Sequence, residues 1–534
     1  MAIKIIIILW VIREIKIALF YLYLWQLKEY HVKRFIEHWR TEKGKRLIFH
    51  PFKIAKFLLC PVLALPTDFL TLKLWIVLFF YLSEITLFMR QLIKRQVKKP
   101  VLTAKTVFLG LVLLLTILAG ASLFKNTLLP LVLADFFSPL IFSAIILVFQ
   151  PLAAGYRLIT IARARKKRQS LKNLKVIGIT GSYGKTSTKE FLKTVLEQKF
   201  KVLATKEHQN SEIAIAKCIL NDLKPEHEVF ICEMGAYDKG KVKQVASMAR
   251  PNIGIVTGVN EQHLALFGSM EKLVSGEGGG ELAESLPENE TIIINQDGVK
   301  SQISNLKSQI QISNLKTIYC SLKQKLDIWA ENIVVEKEKL SFAICDKTGE
   351  RADSKVNLVG RQNIENILLA AACAKELGMF LAEIAAACEK ITPDQGPIKL
   401  VRSPASHKTD ILDSTYSANP DGVLAALEHL KLWSGKKIIV MPCLIELGPA
   451  AKQVHQRIGR KIGEICDLAI ITTKDWFEEI KKSAIEAGMK PENTIFSEDK
   501  ERIITALKPF LKLESVILLQ GRGPINSSDL QYAS

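Results

Sequence analysis

Lys175-Val-Ile-Gly-Ile-Thr-Gly-Ser-Tyr-Gly-Lys-Thr-Ser187 is the stretch that decides the fold of most of this 534-residue chain. An apolar strand runs to Thr180, a glycine turn follows, and the pattern of Thr188–Gln198 predicts a helix. A strand, a glycine turn and a helix in this order wrap backbone N–H groups around phosphates. We therefore predict a nucleotide-binding loop, with Lys185 on the β- and γ-phosphates and the Thr186 hydroxyl on Mg²⁺.

The rest of the chain is unevenly composed. Hydrophobic residues make up 49% of it and crowd the first 156 residues, whereas the remainder has the pattern of an α/β protein. The net charge of +20 is concentrated in basic clusters beside apolar runs. This placement favours anionic lipid headgroups over nucleic acid as the partner. The nine cysteines show neither metal-ligand spacing nor a disulfide framework.

The N-terminal 156 residues are predicted to form a transmembrane region of about five spans. The candidate segments are Ile5–Trp25, Phe57–Thr67, Leu74–Met89, Thr106–Phe124 and Phe136–Tyr156. The basic loops between them, and a basic juxtamembrane linker at 157–174, place the large C-terminal part in the cytosol of a multi-pass inner (plasma) membrane protein. A buried helical soluble domain is the alternative.

Two features of these segments are left open. Ile5–Trp25 contains Arg13, Glu14 and Lys16, so it must pair these charges, turn them inward or lie in the membrane interface. Glu84 in the third segment is either a functional acid or a structural one satisfied by a partner.

Several landmarks follow the loop in a fixed order. They are Asn210 in ATKEHQNSEIA, Glu233 at the end of the strand EVFICEMGA, and His263 before FGSME. With these landmarks following it in this order, the loop TGSYGKTS resembles the ATP loop of the Mur ligase family. The resemblance implies ATP and Mg²⁺ as cofactors. The implied catalytic residues are Lys185, Glu233 and His263. The implied ATP contacts in the loop are Thr180, Gly181, Ser182, Gly184, Lys185, Thr186 and Ser187.

A second metal position is implied near His263. Members of the family usually carry a carbamylated lysine there, but this chain reads SGEGGGE and has no lysine that aligns cleanly. We predict that Glu277, with Glu281 as the second choice, supplies the carboxylate directly. The predicted metal ligands are Thr186, Glu233, His263 and Glu277.

The same glycine run faintly resembles the signature of ABC-transporter ATPases, which would suit an exporter. The apolar strand ending in Asp-Glu that should follow is missing. Instead Asn295-Gln-Asp297 follows a strand and resembles the family segment that contacts adenosine. The sequence QISNLK occurs at 302–307 and again at 311–316, which indicates a local duplication in a surface connection.

The later segments also resemble the family. Gly360-Arg-Gln-Asn363 departs from its pattern at Gln362, and Asp410–Pro420 departs at Ser417. Asn295, Asn363 and Asp413 are the remaining implied ATP contacts. The implied substrate-binding residues are Asn210, Tyr416, Asn419 and Arg522. We expect an ATP-binding central domain with a mostly parallel sheet over 175–392 and a smaller Rossmann-like domain over 393–534.

The resemblance implies an ATP-dependent amide ligase acting through an acyl phosphate. It is strongest for the branch that adds D-alanyl-D-alanine to a UDP-N-acetylmuramoyl-tripeptide in peptidoglycan synthesis. Family members begin with a domain that grips the UDP-sugar, whereas this chain begins with apolar segments. The second hypothesis is therefore a lipid-linked or other carboxylate acceptor with an amino-acid or dipeptide amine. A membrane scaffold with a degenerate ATP module is the third.

Overall fold

The computed structural model of the chain describes residues 2–48, 50–64, 70–124, 127–206, 209–299, 314–403, 406–416 and 418–531. The chain divides into two compact units, Met1–Tyr156 and Arg157–Ser534. Ser417 lies outside the described residues, as does the predicted duplication except for its last three residues.

The described part of the first unit is helical. Its helices are Ala2–Leu27, Val32–Arg40, Glu42–Ile48, Pro51–Leu58, Cys60–Ala64, Leu70–Ile93, Ala104–Leu123 and Leu128–Val148, and Gln150–Ser170 contains the boundary between the units. By length and composition, the helical stretches that could cross a bilayer are Glu42–Ala64, Leu70–Ile93, Ala104–Leu123 and Leu128–Ser170.

The helix bounds differ from the bounds of the predicted segments. The helix that contains the start of the fifth predicted segment begins earlier, at Leu128, and the last residues of that segment belong to the next helix. Phe57–Thr67 falls partly within the stretch that ends at Ala64, and its final residues lie outside the described part. Ala2–Leu27 is helical but is not among the candidates, since its apolar run is interrupted by three charges.

Two of the three named charges of the first helix, Arg13 and Glu14, are paired inside the unit. Arg13 and Glu14 are only 4% and 1% exposed. Arg13 donates from Nε to Glu84 Oε2 at 3.0 Å and also contacts Asp135. Lys56 bridges the same two acids, at 2.5 Å from Glu84 and 2.6 Å from Asp135. Of the alternatives that the sequence left open, the pairing of buried charges is the one observed.

The second unit begins with a mixed sheet. Its strands are β1 Lys175–Thr180, β2 Val202–Ala204, β3 Val229–Glu233, β4 Ile253–Val256, β5 Thr291–Asn295, β6 Lys316–Ser321, β7 Ile328–Val335, β8 Leu340–Asp346 and β9 Arg351–Val356. Their order is β2-β3-β1-β4-β5-β6-β7-β8-β9, and pairing is parallel up to β7 and antiparallel beyond it. The predicted mostly parallel sheet is confirmed.

Helices cover both faces of this sheet. They are Lys185–Leu196, Glu212–Asn221, Lys241–Ala249, Leu264–Phe267, Met270–Gly276, Gly280–Ala283, Gln296–Val299, Gln362–Glu376 and Leu381–Cys388. Successive residues of a strand point to opposite faces. Accordingly, Ile177 of β1 packs in one core with Phe191 and Ile367, whereas Val176 packs in another with Ile215. β1 is therefore buried on both faces, and its carboxyl end is held rigidly.

The basic stretch 157–174 is not an extended linker. It is helical up to Ser170, and Ile161 and Ala164 are buried in the core that contains Val176. Arg168 is 7% exposed and donates to the carbonyl oxygens of Ala249, at 3.0 Å, and Leu174, at 3.1 Å. Apolar residues spaced three apart give this helix an inward face that its basic composition conceals.

A second sheet forms the C-terminal part of the unit. Its strands are β10 Lys399–Ser403, β11 Ser406–Ser414, β12 Lys436–Met441, β13 Leu468–Ile471, β14 Thr494–Phe496 and β15 Ser515–Gln520, in the order β10-β11-β15-β12-β13-β14. Only β10 is antiparallel to its neighbour among these strands. The helices are Pro420–His429, Ala451–Ile465, Phe477–Glu486, Lys500–Leu511 and Ser527–Gln531. The predicted α/β sheet is confirmed.

Candidate active site

The glycine turn after β1 has the backbone that a phosphate loop needs. Gly181 and Gly184 have φ of 145° and 78°, in the region that side chains disfavour. A Cβ at Gly181 would lie 2.0 Å from Thr257 Oγ1, and one at Gly184 would lie 2.7 Å from Asn366 Oδ1. Helix Lys185–Leu196 begins directly afterwards. The turn therefore presents N–H groups and a helix N-terminus, which together favour an anion.

Lys185 lies at the start of that helix and folds back over the turn. Its ammonium donates to the carbonyl oxygen of Gly181 and lies 3.9 Å from Glu277 Oε1. Thr180 and Ser182 border the same turn: Thr180 Oγ1 donates to the Glu277 carbonyl at 3.3 Å. The loop thus offers one cation beside a group of hydrogen-bonded polar side chains.

Glu233 ends β3, next to the end of β1, where Ile179 is its partner in the sheet register. The Thr186 hydroxyl lies 3.1 Å from both oxygens of the Glu233 carboxylate. Asn210 donates to Glu233 Oε1 at 3.2 Å. Three predicted site residues therefore meet at one point. Mg²⁺ usually takes one or two carboxylates and keeps several waters, so the hydroxyl and carboxylate fit it.

Lys189, which the sequence did not single out, also reaches this carboxylate. Its side chain is 0% exposed, and Nζ lies 3.3 Å from Glu233 Oε2 and 3.1 Å from Glu190 Oε1. Lys189 is one helical turn after Lys185, so its position on the same helix face was available from the spacing. Its burial was not, because it depends on packing against β3.

His263 and Glu277 form a second pair. His263 Nδ1 lies 3.0 Å from both carboxylate oxygens of Glu277, which is 1% exposed. Ser182 Oγ donates to Glu277 Oε2 at 3.1 Å. Burial alone would raise the pKa of Glu277, but the neighbouring His263 and Lys185 and the hydrogen bonds from His263 and Ser182 together lower the pKa. The Glu277 side chain therefore remains an anion.

Glu281, the second candidate for this carboxylate, instead caps the start of a helix. Its oxygens accept from the backbone N–H groups of Gly240, at 2.5 Å, and Lys243, at 3.0 Å. Both N–H groups belong to the start of helix Lys241–Ala249. The prediction of Glu281 as a site residue is wrong, because the helix end needs acceptors for its unpaired N–H groups.

Among the described residues, no three His, Cys, Asp or Glu side chains converge as a ready metal cluster. The site consists instead of the Thr186–Glu233 pair and the His263–Glu277 pair, both beside the Lys185 loop. Each pair offers one carboxylate, which suits Mg²⁺, since this ion usually takes one or two carboxylates and keeps several waters.

Asn295 and Asn363 occupy different surroundings. Asn295 donates to Glu365 Oε2 at 2.7 Å and to the Thr257 carbonyl at 2.9 Å, next to the loop. Burial raises the pKa of Glu365. Asn363 is 0% exposed and donates to the Val359 carbonyl, so in this conformation it cannot touch a nucleotide. The prediction of Asn363 as an ATP contact is corrected: Asn366, one turn later, reaches Thr188 Oγ1 at 3.2 Å.

The C-terminal sheet brings only some of its predicted residues to this site. Asn419 caps helix Pro420–His429 and accepts from Asn260 Nδ2 at 3.1 Å, which links it to the segment before His263. Asp413 accepts from Thr415 and from Ser527 Oγ at 2.6 Å. Tyr416 is 47% exposed and Arg522 is exposed. No described hydrogen bond or ion pair joins Asp413 or Arg522 to the phosphate loop.

Another contact from this sheet was not anticipated. The carbonyl of Glu446 accepts from Ala265 N at 3.0 Å, and Glu446 Oε2 lies 3.9 Å from His263 Nε2. His455, by contrast, is buried and structural. It accepts from Leu444 N at 2.9 Å and stacks on Trp476.

Family profiles identify both parts of the second unit. Residues 179–374 match the Mur ligase middle domain, and residues 399–523 match the Mur ligase glutamate ligase domain. The chain belongs to the Mur ligase family through these two domains. The phosphate loop from Ile179 on, Glu233 and His263 lie within the first matched range, and Asp413, Asn419 and Glu446 lie within the second.

Individual relatives agree with this family. UDP-N-acetylmuramoyl-tripeptide–D-alanyl-D-alanine ligase of Escherichia coli (strain K12) is 31% identical over 288 residues, which are 53% of this chain and 61% of the relative. The protein of the same name from Synechocystis is 28% identical over 69% of this chain and 73% of the relative. The chain therefore spans between about three-fifths and three-quarters of these two relatives.

Solved structures show the same fold. MurF from Acinetobacter baumannii superposes with a TM-score of 0.62 at 22% identity, covering 70% of this chain and 80% of that one. The MurF ligase from Thermotoga maritima in complex with ADP gives a TM-score of 0.58 at 22% identity, covering 68% and 80%. The Mur ligase fold predicted from the sequence is confirmed.

Proposed function

We propose that this Mur ligase is an ATP-dependent amide ligase of peptidoglycan synthesis. It joins a carboxylate of UDP-N-acetylmuramoyl-tripeptide to the amine of D-alanyl-D-alanine. The observation that carries the proposal is the grouping of Lys185, Thr186, Glu233, His263 and Glu277 around one phosphate loop. The names of the relatives supply the two substrates.

The chemistry takes two steps. A carboxylate oxygen of the acceptor attacks the γ-phosphorus of ATP, the bond to ADP breaks, and an acyl phosphate forms. The neutral amine then attacks the acyl carbon, the C–N bond forms, inorganic phosphate leaves with the C–O bond broken, and the proton given up by nitrogen ends on that phosphate. The first step brings two anions together, so the site must stabilise negative charge. Lys185 and the N-terminus of helix Lys185–Leu196 do so from this chain.

Magnesium fits the Thr186–Glu233 and His263–Glu277 pairs, where it would supply positive charge against the negative charge that develops during transfer. We assign Thr186 and Glu233 to one position and His263 and Glu277 to the other. Glu277 then replaces the carbamylated lysine of other family members by a carboxylate that needs no modification. Asn210 and Lys189 hold Glu233 in place.

We place the nucleoside in a cavity of about 500 Å³ beside the loop. It is lined by Lys323, Arg361, Gln362, Glu365 and His429, among others. Glu365 ties this cavity to Asn295. A structure of a relative from Thermotoga maritima holds ADP, which supports nucleotide binding in this fold.

We also propose that residues 1–156 are a multi-pass region of the inner (plasma) membrane and that the catalytic part lies in the cytosol, in contact with membrane lipids. The four apolar helical stretches and the basic loops support this. We keep 175–392 and 393–534 as the catalytic domains, joined to the membrane region by the stretch 157–174, which is helical up to Ser170. Cysteine labelling from each side of sealed vesicles tests the orientation. Labelling of the 90–105 loop from the outside would contradict it.

The function is tested with the full chain in detergent micelles, ATP, Mg²⁺ and both substrates. We expect phosphate release only when acceptor and D-alanyl-D-alanine are both present, together with the corresponding amide product. Release with a lipid-linked acceptor but not with the UDP-linked one would replace the acceptor and keep the ligase. Absence of nucleotide binding would support a scaffold and overturn the proposal.

A further inference from the structure

Lys189 places a buried cation beside the metal position formed by Thr186 and Glu233. It lies one helical turn after Lys185, and its side chain is 0% exposed. Thr186 and Asn210 already donate to the Glu233 carboxylate. Because burying an ammonium group is costly, a neutral side chain would be the cheaper way to hold this carboxylate. The positive charge of Lys189 therefore needs an explanation of its own.

Lys189 acts on its neighbours through charge. Its Nζ lies 3.3 Å from Glu233 Oε2 and 3.1 Å from Glu190 Oε1, but no acceptor among the described residues meets it in hydrogen-bond geometry. The Glu190 side chain is 20% exposed and that of Glu233 only 3%. Because water screens Glu190 more, the charge of Lys189 acts mainly on Glu233. Lys189 offsets this carboxylate without taking the lone pairs that a metal ion would use.

A direct role of Lys189 on the nucleotide does not fit its position. Lys185 is the lysine that folds over the glycine turn, where it contacts the carbonyl of Gly181. Lys189 is fully buried, so in this conformation a phosphate cannot reach its ammonium group. Its influence on the site passes through Glu233, which makes it a positioning residue and not a catalytic one.

The offset charge bears on when the metal position is filled. A buried carboxylate beside a hydroxyl attracts a divalent cation whether or not a nucleotide is present. The ammonium group of Lys189 repels a cation on Glu233, and the repulsion is strong because both side chains are shielded from water. A triphosphate brings further oxygen ligands and several negative charges, which outweigh the single positive charge of Lys189. The metal position is therefore favourable only beside a bound triphosphate.

We propose that Lys189 weakens the Thr186–Glu233 position for a free divalent cation, so that this position fills only together with a triphosphate. The inference rests on the proposed function, which assigns the position to Mg²⁺. The phosphate oxygens supply the ligands and the negative charge that the protein alone does not provide. Once the phosphates leave, the position again holds a cation only weakly, and the loop is free for the next nucleotide.

The test measures binding of Mn²⁺ to the full chain in detergent by electron paramagnetic resonance, first alone and then with a non-hydrolysable ATP analogue. Lys189→Met removes the offsetting cation, whereas Glu190→Gln removes the second acid that shares it, so the two variants change the local charge in opposite directions. Lys193→Met, which removes a partly exposed lysine one turn further along the helix, is the matched control. Ions whose binding is lost in Glu233→Gln are those at the position in question.

Without nucleotide, we expect Lys189→Met to bind Mn²⁺ about tenfold more tightly than wild type and Glu190→Gln to bind it about threefold more weakly, with Lys193→Met unchanged. A residue that only supports the structure would give weaker binding when removed, so equal or weaker binding by Lys189→Met overturns the inference.

If Lys189→Met does not fold, Glu190→Gln decides, and unchanged or tighter binding by that variant contradicts the inference. Wild type that binds Mn²⁺ as tightly without the analogue as with it contradicts it too. Amide formation by wild type is measured in parallel. Its absence together with the expected Mn²⁺ shifts would overturn the proposed reaction and leave the role of Lys189 standing.

Discussion

Each unit of this chain buries charged side chains among its helices, but the two clusters differ in what surrounds them. In the first unit, Arg13 and Lys56 lie between Glu84 and Asp135, and each cation contacts both acids. The cavity beside them measures only about 10 Å³. Each charged group of this cluster has its partners within the cluster. The cluster therefore joins helices and leaves no room for a ligand.

In the second unit the charged groups do not gather into one closed cluster. Lys185 donates to a backbone carbonyl and lies 3.9 Å from Glu277, whereas Lys189 lies 3.3 Å from Glu233, which also pairs with Thr186. Helix Lys185–Leu196 begins at the same loop. Ion pairs therefore occur in both units, but those of the second unit lie beside a glycine loop and a helix N-terminus, which favour a bound phosphate.

The largest effect is expected for Lys185→Ala. Removing the cation that faces the γ-phosphate should lower amide formation by about 1,000-fold, or about 4 kcal/mol in the barrier. The melting temperature should stay close to that of wild type, since Lys185 is not part of a core. Lys193→Ala, which removes an exposed lysine of the same helix, is the control. Equal activity of the two variants would contradict the assignment of the loop.

In contrast to Lys185→Ala, Arg13→Met should lower the stability of the protein and leave its activity nearly unchanged. Taking one partner out of a buried ion cluster leaves uncompensated acids, so we expect a loss of about 3 kcal/mol in stability. Thermal unfolding in detergent and the amount of full-length protein in membranes measure this loss. The turnover number per folded molecule should change little. A variant as stable as wild type would show that the cluster does not hold the helices together.

The variants Glu277→Gln and Glu281→Gln compare a carboxylate of the site with a nearby carboxylate that caps a helix. We expect about 100-fold slower turnover and a higher Mg²⁺ requirement, because a ligand-sized charge is lost beside His263. Mg²⁺-dependent binding of a fluorescent ATP analogue gives a readout independent of turnover. Glu281→Gln should instead reduce stability by about 1 kcal/mol through the helix start and leave the Mg²⁺ requirement unchanged. Full Mg²⁺-dependent turnover in Glu277→Ala would refute the assignment.

A further effect, limited to the pH dependence of stability, concerns a buried histidine of the second unit that lies outside the site. Burial lowers the pKa of His455 to about 4, so it stays neutral in the folded chain while the unfolded chain protonates it below about pH 6.5. The unfolded state then binds more protons, and stability falls as the pH falls. Between pH 7 and pH 5 the loss should be about 2 kcal/mol. Calorimetry of wild type and His455→Gln measures this, and identical pH slopes would contradict it.

Much of the fold could be predicted from the sequence because the decisive requirements are local. The glycines at 181 and 184 are needed for positive φ, and the strand before them is a continuous apolar run. The family resemblance implied a carboxylate near His263, charge equivalence assigned it to Glu277, and the structure places the two side chains in contact. The role of Glu277 as a metal ligand stays a prediction. In the first unit, the long uncharged helices were found but their ends shifted, since apolar composition does not mark a helix boundary.

The residues that sequence reasoning missed depend on contacts between distant segments. Asn366 rather than Asn363 faces the loop because Asn363 turns into the core. Glu281 was assigned to the site although it caps a helix that begins 40 residues earlier along the chain. Glu446 reaches His263 only through the packing of the C-terminal domain against the middle domain. None of these contacts leaves a periodic or spacing signal.

The most direct test of the account is an experimental structure of the full chain with Mg²⁺ and a non-hydrolysable ATP analogue. The account predicts the triphosphate in the turn that begins at Gly181, with the Thr186–Glu233 pair on one metal and the His263–Glu277 pair close to the γ-phosphate. A triphosphate bound elsewhere, or with Glu233 and His263 distant from its terminal phosphate, would contradict it.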